Sequence, residues 1–177
     1  MRVFLDFEAS SLTDDSYPIE VGWMFETGEG ESHLIRPADD WLDWNDKAAA
    51  IHGLTRPALE AAGSPHDVVA HRMVEILSGH DLFASAPSWD GKWLSVLMSH
   101  AGLPRKTLVL HDTDDANADL VREILAGALD PLAIDDLTPG LFRRAQMESD
   151  GEIVRPWGWP TPRPSVWCGS ALARWPG

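Results

Sequence analysis

Cysteine is nearly absent: Cys168 stands alone. That excludes an internal disulfide framework and a zinc site built on cysteines. Positive charge is scarce as well. Lys and Arg number 14 against 28 Asp and Glu, a net charge of −14. A broad electrostatic grip on duplex nucleic acid or on an anionic membrane needs basic patches, so the balance argues against both. It leaves room for a local phosphate site that works through metal ions. Long hydrophobic runs are missing: nothing approaches the ~18 apolar residues of a spanning helix. The opening Met1-Arg2-Val3-Phe4-Leu5-Asp6 turns acidic too early for a signal peptide. The expectation is a soluble, cytoplasmic protein without membrane association.

What is present suffices for one ordinary domain. Of the 177 residues, 44% are hydrophobic, and a chain of this length buries roughly 70% of its unfolded surface. Residues 2–7 read as a short buried strand. Residues 18–26 alternate as a second strand, Thr27-Gly28-Glu29-Gly30 as a turn and residues 31–36 as a third strand, so that an antiparallel hairpin is expected. Helices are expected over 41–51, 66–78, 88–101, about 115–125 and about 137–147, with strands at 81–85 and 107–110. A hairpin followed by alternating strands and helices implies a mixed α/β sheet.

The chain divides at about residue 154. From Arg155 to Gly177 there is no Asp or Glu, and the segment holds four of the nine tryptophans and five of the thirteen prolines. Pro156, Pro160, Pro162 and Pro164 forbid regular helix there. Residues 155–177 therefore read as an atypical Pro/Trp-rich tail, either a proline-rich extension or the product of a reading-frame change, on a domain spanning 1–154.

Asp6-Phe7-Glu8 carries the sharpest chemical signal. On a strand, residues i and i+2 share a face, so both carboxylates meet at the strand's end. That is costly unless a cation neutralises them, and hard divalent cations take oxygen ligands of this kind. Two further segments belong with it: Ile51-His52-Gly53-Leu54-Thr55, and Ser88-Trp89-Asp90-Gly91-Lys92-Trp93-Leu94 opening a helix just after a strand.

With these three segments the sequence resembles the DEDD, or DnaQ-like, family of 3′→5′ exonucleases. Asp6, Glu8 and Leu12 match the spacing of that family's first motif. Residues 51–55 match its I-H-G-[IL]-T segment, and Trp89, Asp90, Trp93 and Leu94 fit its second motif; Pro18-Ile19-Glu20-Val21-Gly22 is similar to its second strand. The resemblance covers about residues 2–110. It implies a ribonuclease H-like fold, with a mixed five-stranded sheet flanked by helices. It implies phosphodiester hydrolysis at the 3′ end of single-stranded nucleic acid, with Asp6, Glu8 and Asp90 holding two Mg²⁺ or Mn²⁺ ions. Leu12 and His52 would flank the last nucleotide. Their plainer alternatives are a core leucine and a histidine capping local backbone before Gly53.

The sequence also departs from the family. Ala86 stands where the second motif often has Asn. No histidine follows His111, so the third motif, H-x-x-x-x-D or Y-x-x-x-D on a late helix, is not matched. Arg143 and Glu148 keep the longer form's spacing with Arg for His and Glu for Asp, and His111 and Asp115 keep the shorter form's. Glu148 and Asp115 are thus secondary metal-ligand candidates. The run from His111 to Asp119 reads more simply as a helix start, whose Asp and Thr residues cap orphan N–H groups. A catalytically weak or inactive nucleic-acid or protein binding module is the alternative function. Trp23 and Trp93 have core-like spacing, whereas Trp41 and Trp44 are candidate base contacts.

Overall fold

The computed structural model describes residues 1–149, so the 155–177 tail lies outside the described residues. The elements are β1 (Arg2–Ala9), β2 (Pro18–Phe25), β3 (Gly30–Arg36), α1 (Asp46–His52), α2 (Arg56–Ala62), β4 (Ser64–Pro65), α3 (His66–Leu77), β5 (Asp81–Ala84), α4 (Pro87–His100), β6 (Leu110–Asp112), α5 (Thr113–Leu125) and α6 (Pro131–Ser149). They build one mixed sheet in the order β4-β3-β2-β1-β5-β6. β1 and β2 pair antiparallel, as do β2 and β3, whereas β5 runs parallel to both β1 and β6. The sheet has six strands where five are expected. The extra one is the two-residue β4, which lies parallel to Ile35–Arg36 and is too short to leave any periodic trace.

Alternation along β1 is strict. Val3, Leu5, Phe7 and Ala9 are buried, and Asp6 and Glu8 fall on the opposite face. The buried face joins Ile19, Val21 and Trp23 of β2 with Met73 and Leu77 of α3 and Leu94, Leu97 and Met98 of α4 in one core. The other face carries Phe4, whose ring meets Phe83 at 5.8 Å, and Arg2, which bonds Glu123 of α5. Helices thus cover both sides of the sheet. Among the described residues no helix is long and apolar enough to cross a membrane.

Local chemistry explains most element ends. Asn45 caps α1 by accepting from the Lys47 and Ala48 N–H groups, and Gly53 closes it at φ +72°, a backbone region that favours glycine. Residues 41–44 are therefore loop, and α1 starts at Asp46 rather than at 41. α2, which the sequence pattern does not reveal, is capped by Thr55 and takes Pro57 in its first turn, where proline is tolerated. Gly63 ends it against β3: a Cβ there would come within 2.6 Å of the Arg36 nitrogen. β6 forms at Leu110–Asp112 rather than 107–110, because its register follows Leu82–Ala84 of β5. α6 begins at Pro131, earlier than expected, since Asp130 accepts from the Leu132 and Ala133 N–H groups. It continues through Pro139.

Candidate active site

The site grows from the C-terminal half of β1. β5 is in register with β1 only through Arg2–Phe4. Further along, the Phe7 N–H donates to Oδ1 of Asp90 at 3.3 Å, and the Ala86 N–H donates to Oδ2 at 3.3 Å. Asp90 sits in the first turn of α4 and is 1% exposed. These two bonds place its carboxylate beside Asp6, where the central strand meets the helix that follows β5. Open α/β sheets bind ligands at such carboxyl ends of strands.

Electrostatics report the crowding. Burial pushes the Asp6 carboxyl up to about 7, with the charges of Glu8 and Glu20 adding to the shift. Burial and the charge of Asp6 likewise push Asp90 up to about 7. Glu8 lies directly opposite Glu20 on β2, so both side chains share the Asp6 face. Glu20 is buried. The sequence pattern puts Glu20 on a strand and marks it with no role. The missing signal is register, because only the Glu8–Glu20 pairing brings it to the acidic face.

Asp6 and Asp90 are thus brought together, with Glu8 and Glu20 at the adjoining sheet positions. Among the described residues, no three or more His, Cys, Asp or Glu side chains stand close enough to form a ready metal cage. The donor chemistry still suits a hard divalent cation, since the facing groups are carboxylates. The repulsion that raises their titration is what a bound cation would relieve.

The flanking residues divide. Leu12 is half-buried and packs against the core from the loop after β1. Nδ1 of His52 accepts from the Leu54 N–H at 3.0 Å, capping the turn through Gly53. This is the plainer of its two roles, and it sets the tautomer, leaving the proton on Nε2. Trp44 meets His52 edge-on at 6.2 Å. Trp41 is not an available base contact: it is buried, stacked on Tyr17 at 5.0 Å, and donates from Nε1 to His100. Trp23 and Trp93 are core residues as expected.

Two of the third-motif candidates are exposed. His111 is exposed on β6, two strands from β1, with its ring 5.8 Å from Phe83. Asp115 is exposed in the first turn of α5, which Asp112 caps by accepting from the Asp114 N–H at 2.9 Å. The 111–119 run is therefore a capped helix start. The Glu148 side chain lies outside the described residues.

Comparison with known proteins yields no matching family model and no matching curated sequence. Solved structures do match. Product-bound exonuclease I superposes with a TM-score of 0.56 at 16% identity, over 71% of this chain and 33% of that one. Exonuclease I of E. coli in complex with a dA16 oligonucleotide gives 0.56 at 17%, over 68% and 29%. The zinc-bound form of its complex with single-stranded DNA gives the same values. The chain has a ribonuclease H-like fold. At this identity the likeness is one of fold, and the chain spans about a third of the length of these exonucleases.

Proposed function

We propose that this protein is a metal-dependent 3′→5′ exonuclease that hydrolyses phosphodiester bonds at the ends of single-stranded nucleic acid. One observation carries the reading: the pair of bonds from Phe7 and Ala86 that hold Asp90 beside Asp6 on the acidic face of β1. Exonuclease I shares the fold, and its structures include complexes with single-stranded oligonucleotides. The order of the three motifs along this chain agrees with that chemistry.

In this reading Asp6, Glu8 and Asp90 hold the divalent ions. When bound, Mg²⁺ or Mn²⁺ supplies Lewis-acid polarisation of the phosphate and activation of water. Asp90 is kept in place by two backbone donors, so its carboxylate needs little reorganisation. Leu12 and His52 flank the terminal nucleotide. The sequence does not match the third motif, whose histidine or tyrosine would take the proton from the attacking water. A positioned base contributes about 10²–10⁴-fold, so turnover is slow, rises with pH, and is better supported by Mn²⁺ than by Mg²⁺, which holds its waters more tightly.

A 5′-labelled single strand incubated with Mn²⁺ tests the proposal. Products shortened stepwise from the 3′ end, with release of nucleoside 5′-monophosphates, support it. Cutting of a circular single strand overturns it in favour of an endonuclease. A second reading, a binding module without turnover, draws on the unmatched third motif and the lack of a three-ligand cluster among the described residues. Binding of the strand without shortening, in Mn²⁺ across pH 6 to 9, would establish it.

A further inference from the structure

Strand pairing stops specifying the chain just after Glu8, where the register between β1 and β2 slips. The next residues are held by one carboxylate instead. Ser10 Oγ donates to Oδ2 of Asp43 at 3.0 Å, and Ser11 Oγ to the same oxygen at 2.5 Å. Thr13 Oγ1 donates to Oδ1 at 3.1 Å. The two serine hydroxyls also accept: Ser10 from the Tyr17 N–H at 3.2 Å, Ser11 from the Thr13 N–H at 3.1 Å. The Asn45 N–H donates to the Ser10 carbonyl at 3.0 Å, tying the same loop to the start of α1. Ser10 and Ser11 are fully buried. Leu12 sits between two of the clamped residues.

We propose that Asp43 is a positioning residue that locks the Ser10–Thr13 loop so that Leu12 is presented to the last base of a single strand. The identity of the ligand rests on the exonuclease reading; the clamp itself rests on the three hydroxyl bonds. Asp43 is an acceptor for three donors at once, which no neutral side chain of its size can be. Asp43→Asn replaces one of its oxygens by an NH₂ donor, so hydroxyls that met an acceptor lose it. The loop can then move, and Leu12 with it. The sign of the effect is diagnostic. Removing a negative charge near a polyanion's site should by itself tighten binding, whereas a loosened clamp weakens it.

The experiment measures binding of a short 5′-fluorescein-labelled single strand by anisotropy, with Ca²⁺ as the divalent ion, in the full chain and its variants. Withdrawing one buried aliphatic side chain from a base costs about tenfold in affinity. Asp43→Asn and Leu12→Ala should each raise Kd about tenfold, and the double variant should be no weaker than Leu12→Ala alone. Thr13→Val removes one clamp bond at an exposed position without changing charge. It should shift Kd the same way by less, and serves if Asp43→Asn fails to fold by its melting curve. Unchanged or tighter binding by the clamp variants overturns the proposal, as do effects of Asp43→Asn and Leu12→Ala that multiply. So does a wild-type chain that binds no strand. Turnover in Mn²⁺ is read separately: strand binding that follows the expected pattern without turnover sinks the exonuclease reading and leaves the clamp standing.

Discussion

Replacing Asp90 by Asn should remove much of the pH dependence of stability that this site imposes. Asp90 titrates at about 7, against an ordinary 3.8, because it is buried and faces Asp6. The native state therefore holds a proton that the unfolded chain has already released. This contribution to stability is fully present below pH 3.8 and is lost as pH rises through about 7. The interval of about 3 pH units at ~1.4 kcal/mol each gives about 4 kcal/mol. The pair Asp6 and Asp90 titrates as a unit, so the two contributions do not simply add. Only about 2 of those units, roughly 3 kcal/mol, lie above pH 5, so in EDTA the wild-type melting temperature should fall by about 5–10 °C between pH 5 and 8.5, at 2–4 °C per kcal/mol for a domain of this size. Asn keeps an acceptor for the Phe7 N–H but turns a donor toward the Ala86 N–H, losing about 1 kcal/mol. Asp90→Asn should thus melt close to wild type at pH 5, where the lost bond and the about 1 pH unit of linkage nearly offset each other, and clearly above it at pH 8.5. The difference between the two proteins cancels the background repulsion of a chain of net charge −14. Saturating Mn²⁺ at pH 8.5 should restore the wild type and leave the variant unmoved, because a ligand of the folded state alone stabilises it. Parallel melting profiles for the two proteins from pH 5 to 8.5 would refute the reasoning.

Three other perturbations follow from the same geometry. Glu20→Gln removes one of the charges that raise Asp6, so the pH at which Mn²⁺ begins to raise the melting temperature should move down; an unmoved onset would place Glu20 outside the site's electrostatics. The double substitution Arg143→His and Glu148→Asp writes an H-x-x-x-x-D pattern onto α6 and should raise Mn²⁺-supported turnover by about 10²–10⁴-fold, whereas no gain would mean that α6 does not present these positions to the site. Leu59→Ala, at a fully buried position of α2, should cost about 2–5 kcal/mol in a denaturant titration; a cost under about 1 kcal/mol would show that this short helix is not part of the cooperative core.

Several features could be read directly from the chain. The strand expected over residues 2–7 places Asp6 and Glu8 on one face at its end, since strand geometry alone enforces it. The strand–helix boundary before Asp90 is equally local: a short apolar strand, then Pro87 and a helical period. The capped start of α5 follows from Asp112 and its neighbours, and the hairpin of β2 and β3 from alternation and Gly28. Nothing near Trp41 in sequence announces Tyr17 or His100 as its partners, so the chain alone leaves it available for a base.

Tertiary structure decided the rest. Periodicity reports geometry within a few residues, whereas the site is built by contacts far apart in the chain. Asp90 meets Phe7 across 83 positions, and that contact depends on β5 lying beside β1 for only three residues. Glu20 enters the acidic face through register with Glu8, and a slip of one residue would turn it to the other side of the sheet. Asp43 holds Ser11 from 32 positions away, and no spacing rule links them. What the residues determine by themselves is thus which side chains can do chemistry and which local face they occupy. Which of them stand together, and with what charge, is set by how the strands pair and how much water that pairing excludes.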